Sequence, residues 1–350
     1  MNKLKVGVLG ATGAVGQRFA QLLSHHPYFD LTVLAASGRS AGKTYREATH
    51  WILTDPMPSE LADLTVQDMS TSLDCQLLFS ALPTDQAQEW EVPLAAAGYG
   101  LFTNAGPHRM DADVPLLLPE VNPGHLAMLL RQKEQRGWER GFIVANSNCT
   151  AMPMVMALAP LVTQFGVDAV IANSMQAISG AGYPGVPSLD MIDNIVPFIG
   201  ESEEIKMSEE SNKMLGQWVN QELVSAGIAI SAHCNRVPVS DGHTVTLSVR
   251  FKNKPSLDDI VAAWQNWQPL PQQLKLPSAP QPALVVRSES NRPQPRLDRN
   301  TGRGMATVIG RLRPCEVLDV RFVTLAHNTI RGAAGGSILN AELMYAQGML

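Results

Sequence analysis

Three stretches of this 350-residue chain carry side chains that could do covalent chemistry together. The first is Asn146-Ser147-Asn148-Cys149-Thr150-Ala151-Met152-Pro153, where Cys149 opens an apolar segment. A thiol there lies beside backbone N–H groups that the first turn of a helix leaves unpaired, a setting that favours the thiolate. The thiolate is a nucleophile, and the same N–H groups could then hold an oxyanion formed on a substrate carbonyl. A free cysteine is more often a small buried hydrophobe, so Cys149 needs partners to count as catalytic. The second stretch, His233 to His243, supplies them. Pro238 and Gly242 break regular structure there, so Arg236 and His243 can converge from either side of a bend before a strand that begins at Thr244.

The third stretch is Gly10-Ala11-Thr12-Gly13-Ala14-Val15-Gly16, between the apolar run Leu4–Leu9 and the amphipathic Gln17–Leu23. Strand, glycine turn and helix in that order bring small residues against a pyrophosphate at the positive end of the helix. At the end of the next strand an NAD site places an acid for the ribose 2′-hydroxyl. Here the strand runs out into Ser37-Gly38-Arg39-Ser40-Ala41-Gly42-Lys43, with hydroxyls and cations at Ser37, Arg39, Ser40 and Lys43 and no acid. Asp30 stands at the wrong end. A 2′-phosphate fits, and the expected cofactor is NADP. Hydride chemistry beside a nucleophilic cysteine indicates an aldehyde dehydrogenase that works through a thioester.

The elements that must position these groups follow from pattern. Apolar runs at 4–9, 31–36, 76–81, 101–104 and 142–145 alternate with helical segments, which predicts an α/β fold with a parallel sheet of Rossmann type. After Cys149 the longer alternating runs at 169–179, 244–251, 305–311 and 317–325 predict an α+β domain with a mostly antiparallel sheet. Ile338, Leu339, Leu343 and Met344 recur at helical spacing, so the C-terminal helix is expected to pack back on the first domain. The expected division is 1–148 with 328–350 for the cofactor and 149–327 for catalysis and dimerisation.

Composition excludes several classes. A net charge of −5 offers no field for nucleic acid, and no Lys/Arg run supplies one locally. The four cysteines show no C-x-x-C pair, and no H-E-x-x-H appears among the histidines, so neither a disulfide framework nor a metal is expected. The start of the chain, Met1 to Gly10, lacks the apolar stretch of a leader, and the longest apolar run, Ala151 to Val162, is too short to span a bilayer. A cytoplasmic protein with reduced thiols is expected.

These motifs together resemble the aspartate-semialdehyde dehydrogenases, specifically their archaeal and fungal-like branch. The resemblance extends through Gly10–Phe19, Asn104–Met110, Ser147–Thr150, Gln176–Gly182, Glu203–Lys206, Arg236–His243 and His327–Gly335. It implies reduction of L-aspartyl 4-phosphate by NADPH to aspartate 4-semialdehyde, a step toward lysine, diaminopimelate, threonine, methionine and isoleucine. It also implies a homodimer or homotetramer. Cys149 would carry the acyl group, His243 would act as acid/base and Gln176 would orient the intermediate. Arg236 would hold the substrate α-carboxylate, Glu204 its ammonium group, and Arg109, Asn148 and Lys206 the phosphate. Glu204 is chosen over Glu203 because it lies two residues before Lys206. On the cofactor side the resemblance points to Gly10, Thr12, Gly13, Ala14, Val15, Ser80, Ser179, Gly180 and Asn328. Two other functions share parts of the pattern: a malonyl-CoA reductase on the same scaffold, and a dinucleotide sensor without catalysis.

Overall fold

The computed structural model describes residues 3–350. Met1 and Asn2, with which the leader-free reading of the N-terminus begins, lie outside the described residues. The chain forms two units, one of residues up to Leu117 with His125–Asn146 and Ala333–Leu350, the other of Leu118–Gly124 and Ser147–Gly332.

The first unit is built on strands β1 (Leu4–Leu9), β2 (Phe29–Ala36), β3 (Gln67–Asp68), β4 (Leu77–Ser80), β5 (Gly100–Thr103), β6 (Leu116–Leu117) and β7 (Phe142–Asn146). They form one sheet in the order β3-β2-β1-β4-β5-β7-β6, and every pairing is parallel. β4, β5 and β7 are buried along their whole length, which is why they read in sequence as unbroken apolar runs without alternation. The two-residue β3 carries no such run, and β6, within the buried apolar run 114–118, is too short to read as a strand in the sequence. The strand order reverses between β1 and β4, where open α/β sheets leave a crevice for ligands at the carboxyl ends of the strands. The C-terminal helix Gly335–Ala346 is buried from Gly335 to Met344 and packs on β5 and β7. Its Glu342 meets His26 at 2.7 Å, and Tyr345 stacks on Tyr28.

The second unit contains β8 (Val167–Gln176), a small hairpin of β9 (Gln217–Val219) and β10 (Glu222–Val224), then β11 (Ala229–Arg236), β12 (His243–Phe251), β13 (Leu284–Arg287), β14 (Thr307–Pro314) and β15 (Val320–Ala326). Its main sheet has the order β11-β8-β12-β15-β14-β13. The expectation of a mostly antiparallel sheet needs correction, because the sheet is mixed. The three central pairings are antiparallel, but β11 runs parallel to β8 and β13 parallel to β14 at the two edges. A parallel neighbour requires a long crossover. The helix Glu203–Met214 lies within the β8-to-β11 crossover and packs against β11. The helix Ala151–Phe165, apolar up to Val162, is buried from Ala151 to Leu161 and packs against β8, β12, β14 and β15, as a helix with no polar face over those turns must.

Residues 118–124 belong with this second unit, whereas the sequence reading kept them in the first domain. The reason is an ion pair: Glu120 accepts a hydrogen bond from Arg331 at 2.7 Å, with both side chains wholly buried. Removing one partner of a buried pair strands the other charge. Glu120→Ala should therefore lower unfolding stability by about 3–5 kcal/mol, read as a fall in the urea midpoint; a change no larger than that of an exposed glutamate would contradict this assignment.

Candidate active site

The register of the second sheet decides which side chains meet. Gln176 at the end of β8 is paired with Arg236 at the end of β11, Met175 with Thr244, and His243 at the start of β12 with Ala326 at the end of β15. Gln176, Arg236, His243 and the His327-Asn328 segment therefore leave the sheet at one level. Cys149, just before the buried helix, reaches the same level: its Sγ is 3.3 Å from His243 Nε2.

His243 is fully buried, and its other ring nitrogen, Nδ1, accepts the N–H of Ala177 at 3.0 Å. Burial first, then the Arg236 and His327 charges, push its pKa down to about 3. Arg236 is also buried and donates from Nη1 to the Ala177 carbonyl at 2.8 Å. No carboxylate pairs with it among the described residues. Its pKa is lowered by desolvation, with Cys149 and Glu203 acting the other way. A buried guanidinium without a carboxylate partner is suited to bind one from a ligand.

Asn148 organises the turn that carries Cys149. Its Oδ1 accepts the N–H groups of Thr150 and Ala151 at 2.7 and 3.1 Å. The unpaired helix N–H groups expected beside the thiol are thus occupied, because the side chain one residue earlier caps them. Asn148 in turn donates from Nδ2 to Glu203 at 3.0 Å, and its own N–H is held by Glu210 at 2.7 Å. Gln176 Nε2 donates to the same Glu203 oxygen at 3.1 Å, and Lys206 approaches the other oxygen at 3.7 Å.

The acid of this cluster is Glu203, not Glu204. Glu204 instead accepts the N–H of Cys234 in β11 at 3.0 Å. Adjacent helical residues point about 100° apart, so only one of the two can face Asn148. Glu210 was missed by sequence reasoning, which drew only Glu204 and Lys206 from this acidic stretch. The spacing of Glu203, Lys206, Glu210 and Lys213 on one helical face was the available signal.

Ser179 and Gly180 lie in the turn after β8. Asn328 Nδ2 donates to Ser179 Oγ at 2.8 Å, while its Oδ1 accepts the N–H of Gly242 at 2.8 Å. Asn328 thus spends its whole amide fastening the bend before His243. A Cβ at Gly180 would stand 2.8 Å from Arg236 Nη1 and 3.1 Å from His243 Cε1, so the position needs glycine. Gly332 was another residue missed. It sits in a π-helical turn, Ile330–Ala334, whose N–H of Gly332 reaches the carbonyl of His327.

In the first unit, Gly10 has φ +72°, and a Cβ there would lie 2.7 Å from the Ala81 carbonyl oxygen, beside Ser80 at the end of β4. At Gly16 a Cβ would lie 2.1 Å from the Gly10 oxygen, so strand and helix can be this close only with glycine. Gly13 is open, and no side chain caps the helix Ala14–Leu23 that begins with Ala14 and Val15. With Thr12 in the turn, this is a cradle in which the Gly13 N–H goes to the Gly10 carbonyl at 3.1 Å and the first-turn N–H groups of the uncapped helix suit a pyrophosphate. Ser37, Arg39, Ser40 and Lys43 follow β2, with Arg39 and Lys43 exposed. Asp30 pairs with Lys5 at the opposite end of the strand. Asp68 at the end of β3, which the sequence reading passed over, flanks Ala36 and is the nearest acid to Gly38. Arg109 is buried and donates to the Asn104 carbonyl at 2.6 Å. Among the described residues no cluster of side chains could hold a metal, and no helix is long and apolar enough to cross a membrane.

Residues 5–129 match the model of the semialdehyde dehydrogenase NAD binding domain, and 158–331 that of the semialdehyde dehydrogenase dimerisation domain. The chain is 48% identical to an aspartate-semialdehyde dehydrogenase of Archaeoglobus fulgidus over 98% of both chains. It is 45% identical to one of Trichophyton rubrum, covering 100% of this chain and 99% of the relative. The crystal structure of aspartate semialdehyde dehydrogenase with NADP from Candida albicans superposes with a TM-score of 0.91 at 40% identity, covering both chains completely.

A Cβ at Gly332 would lie 2.7 Å from the Cys149 Cβ and 3.0 Å from its Cα, so Cys149 has to move if a methyl is added. Gly332→Ala should reduce turnover on the order of a hundredfold, the effect of about 1 Å of misplacement, while the far-UV spectrum stays unchanged. Steady-state kinetics within twofold of wild type would show that the contact does not set the position of Cys149.

Proposed function

The chain belongs to the aspartate-semialdehyde dehydrogenase family, and from that premise we propose the division of labour among its residues in the NADPH-dependent reduction of L-aspartyl 4-phosphate to aspartate 4-semialdehyde. The reaction serves lysine, threonine and methionine biosynthesis. The observation that carries the assignment is the 3.3 Å contact of Cys149 Sγ with His243, beside a buried Arg236 that has no carboxylate of its own.

Cys149 attacks the acyl phosphate and retains the aspartyl group as a thioester. Arg236 receives the α-carboxylate in its planar fork. Glu203, in place of Glu204, faces the α-ammonium: its carboxylate already accepts from Asn148 and Gln176 and has Lys206 at its other oxygen. Gln176 orients the acyl group. Lys206, Asn148 and Arg109 answer the phosphate.

The cradle at Gly10, Thr12, Gly13, Ala14 and Val15 fits the dinucleotide pyrophosphate, since Gly10 and Gly13 present bare backbone and the helix Ala14–Leu23 begins there without a side-chain cap. Ser37, Arg39, Ser40 and Lys43 would hold the 2′-phosphate, Ser80 would line its path, and Ser179, Gly180 and Asn328 would border the nicotinamide. When bound, the cofactor supplies the hydride that reduces the thioester.

A homodimer or homotetramer forms through the second unit. The matched dimerisation domain and the exposed apolar side chains Tyr183, Leu189, Ile192, Ile195 and Phe198 support this reading. The proposed setting is the cytoplasm, where thiols stay reduced.

Mixing the protein with NADP, phosphate and aspartate semialdehyde should generate NADPH absorbance. Turnover of malonyl semialdehyde with coenzyme A instead would favour the reductase reading, and NADP binding with neither reaction would favour the sensor. Cys149→Ala should abolish turnover and leave NADP affinity within about twofold. Arg39→Ala should weaken NADP about tenfold while sparing NAD, because it removes one charge-assisted contact to the 2′-phosphate. Equal losses for both cofactors would move that contact elsewhere.

A further inference from the structure

The strand β14 begins where β15 ends, since Val308 pairs with Leu325, and so it starts at the level at which His243 enters the sheet. β13 runs parallel to β14 and leaves beside Gly310, so residues 288–306 must bring the chain back to that level. The return carries them past the bend that precedes His243. Their short helix, Pro295–Asp298, packs on β15. Nothing in the thioester chemistry calls on this crossover, yet it holds a wholly buried carboxylate.

That carboxylate, Asp298, is a clasp. One oxygen accepts from Arg287 Nε at 3.2 Å and from Arg292 Nη2; the other accepts from Arg292 Nε at 2.7 Å and from the N–H of Gln294 at 2.7 Å. A carboxylate held by two guanidinium groups and a backbone N–H has little freedom to turn. The crossover is tied in this way to the end of β13. At Gly310 it lies on β14 so closely that a Cβ would stand 2.5 Å from the Arg292 carbonyl oxygen. The next residue, Arg299, thus projects from a fixed base.

Arg299 finds no acid there, because Asp298 is taken by Arg287 and Arg292. Its Nη1 donates instead to Ser240 Oγ at 3.1 Å and to the Asp241 carbonyl at 3.2 Å. Its stem covers Gly242, where φ is +101° and a Cβ would stand 3.2 Å from the Arg299 Cβ. The rest of the bend is fastened elsewhere: the Val239 and Ser240 carbonyls accept the N–H groups of Ile178 and Ser179, and the Gly242 N–H goes to Asn328. The Ala177 N–H turns the imidazole, but the backbone from which the ring hangs is set by the residues before it. Arg236, at the other end of the bend, has separate ties to Val196 in both directions and to the Ala177 carbonyl.

We propose that Arg299, braced by Asp298, is a positioning residue for the reaction: it locks the bend 238–242 so that His243 stands against the sulfur of Cys149. The proposal rests on the cysteine-thioester reading of the site. A guanidinium suits the task because its donors lie in one rigid plane and can hold a hydroxyl and a carbonyl together. Since Arg236 keeps its own fastening, loss of Arg299 is felt in the chemical step and not in the grip on the substrate carboxylate.

Arg299→Ala in the full chain should lower kcat in the semialdehyde assay on the order of a hundredfold, the effect of about 1 Å of misplacement, while KM for the semialdehyde and for NADP stays within about threefold. Alkylation of Cys149 by iodoacetamide, followed by mass spectrometry across pH, reads the same displacement without substrate. His243 and Arg236 face the thiol, and the substitution changes the charge of neither. With His243 displaced, the midpoint of the alkylation profile should rise by about one pH unit. Arg299→Lys keeps the charge but reaches one acceptor at a time, so it should fall between Arg299→Ala and wild type. A lysine variant equal to wild type would assign the effect to the field of the cation and overturn the proposal. So would an unchanged Cys149 midpoint in Arg299→Ala, or a KM that rises while kcat holds. Cys234, buried in β11, should stay protected from the reagent. If Arg299→Ala exposes it, Ser240→Ala takes the place of that variant and must raise the midpoint in the same direction, an unchanged value again overturning the proposal. If the wild type fails in the semialdehyde assay while the midpoint still rises in the variant, the substrate assignment alone is at fault.

Discussion

The contact between Cys149 and His243 depends on four strands of one sheet ending at the same level. β8 and β11 deliver Gln176 and Arg236 at their carboxyl ends, and β12 must begin where they stop, so His243 can stand across from Ala326. A strand slip of one residue would turn each of these side chains to the opposite face of the sheet. The alternating burial of β8, β12 and β15 against the apolar helix Ala151–Phe165 holds that register. Catalytic geometry and hydrophobic packing are thus set by one pattern: the buried helix that fixes the sheet also carries Cys149 just ahead of its first turn.

The charged groups around this frame are held in states that water would not favour. Arg236 is desolvated without a carboxylate, and His243 is desolvated and neutral. Each is kept in place by the backbone of Ala177, which accepts from the guanidinium through its carbonyl and donates to the imidazole through its N–H. One residue after β8 therefore orients two buried side chains, and it does so through main-chain atoms that every residue except proline would supply. A substrate carboxylate entering beside Arg236 would relieve the cost of burying that cation, which turns strain in the free protein into affinity for an anionic ligand.

Much of this was legible in the sequence, and the parts that were not have identifiable causes. The parallel sheet showed because β1, β2, β4, β5 and β7 are long enough to form apolar runs, while β3 and β6 are strands of two residues, too short to show a period. The edge strands β11 and β13, which make the two parallel pairings, were not among the runs read as strands, and alternation in the others reports burial of one face and says nothing of direction. Cys149, His243 and Arg236 stood out by residue type beside a bend. The choice between Glu203 and Glu204 used distance along the chain from Lys206, whereas the helix sorts residues by angle and turns Glu203 toward Asn148 and Gln176. Glu210 and Gly332 were passed over for the same underlying reason: each acts through a neighbour, one by holding the N–H of Asn148 and the other by leaving room for Cys149.

Asn148 shows why a motif can be right while its chemical explanation is wrong. The sequence places a thiol at a helix start, and the first expectation is that free N–H groups of the helix stabilise its charge and later an oxyanion. The side chain of Asn148 occupies two of those groups, and the N–H of Met152 goes to its carbonyl. What remains near the sulfur is a buried imidazole and a buried guanidinium, both held by the backbone of Ala177. Stabilisation of charge at Cys149 has thus passed from the helix to the sheet. The strand ends of the second unit are for that reason the part of the chain whose register chemistry cannot tolerate losing.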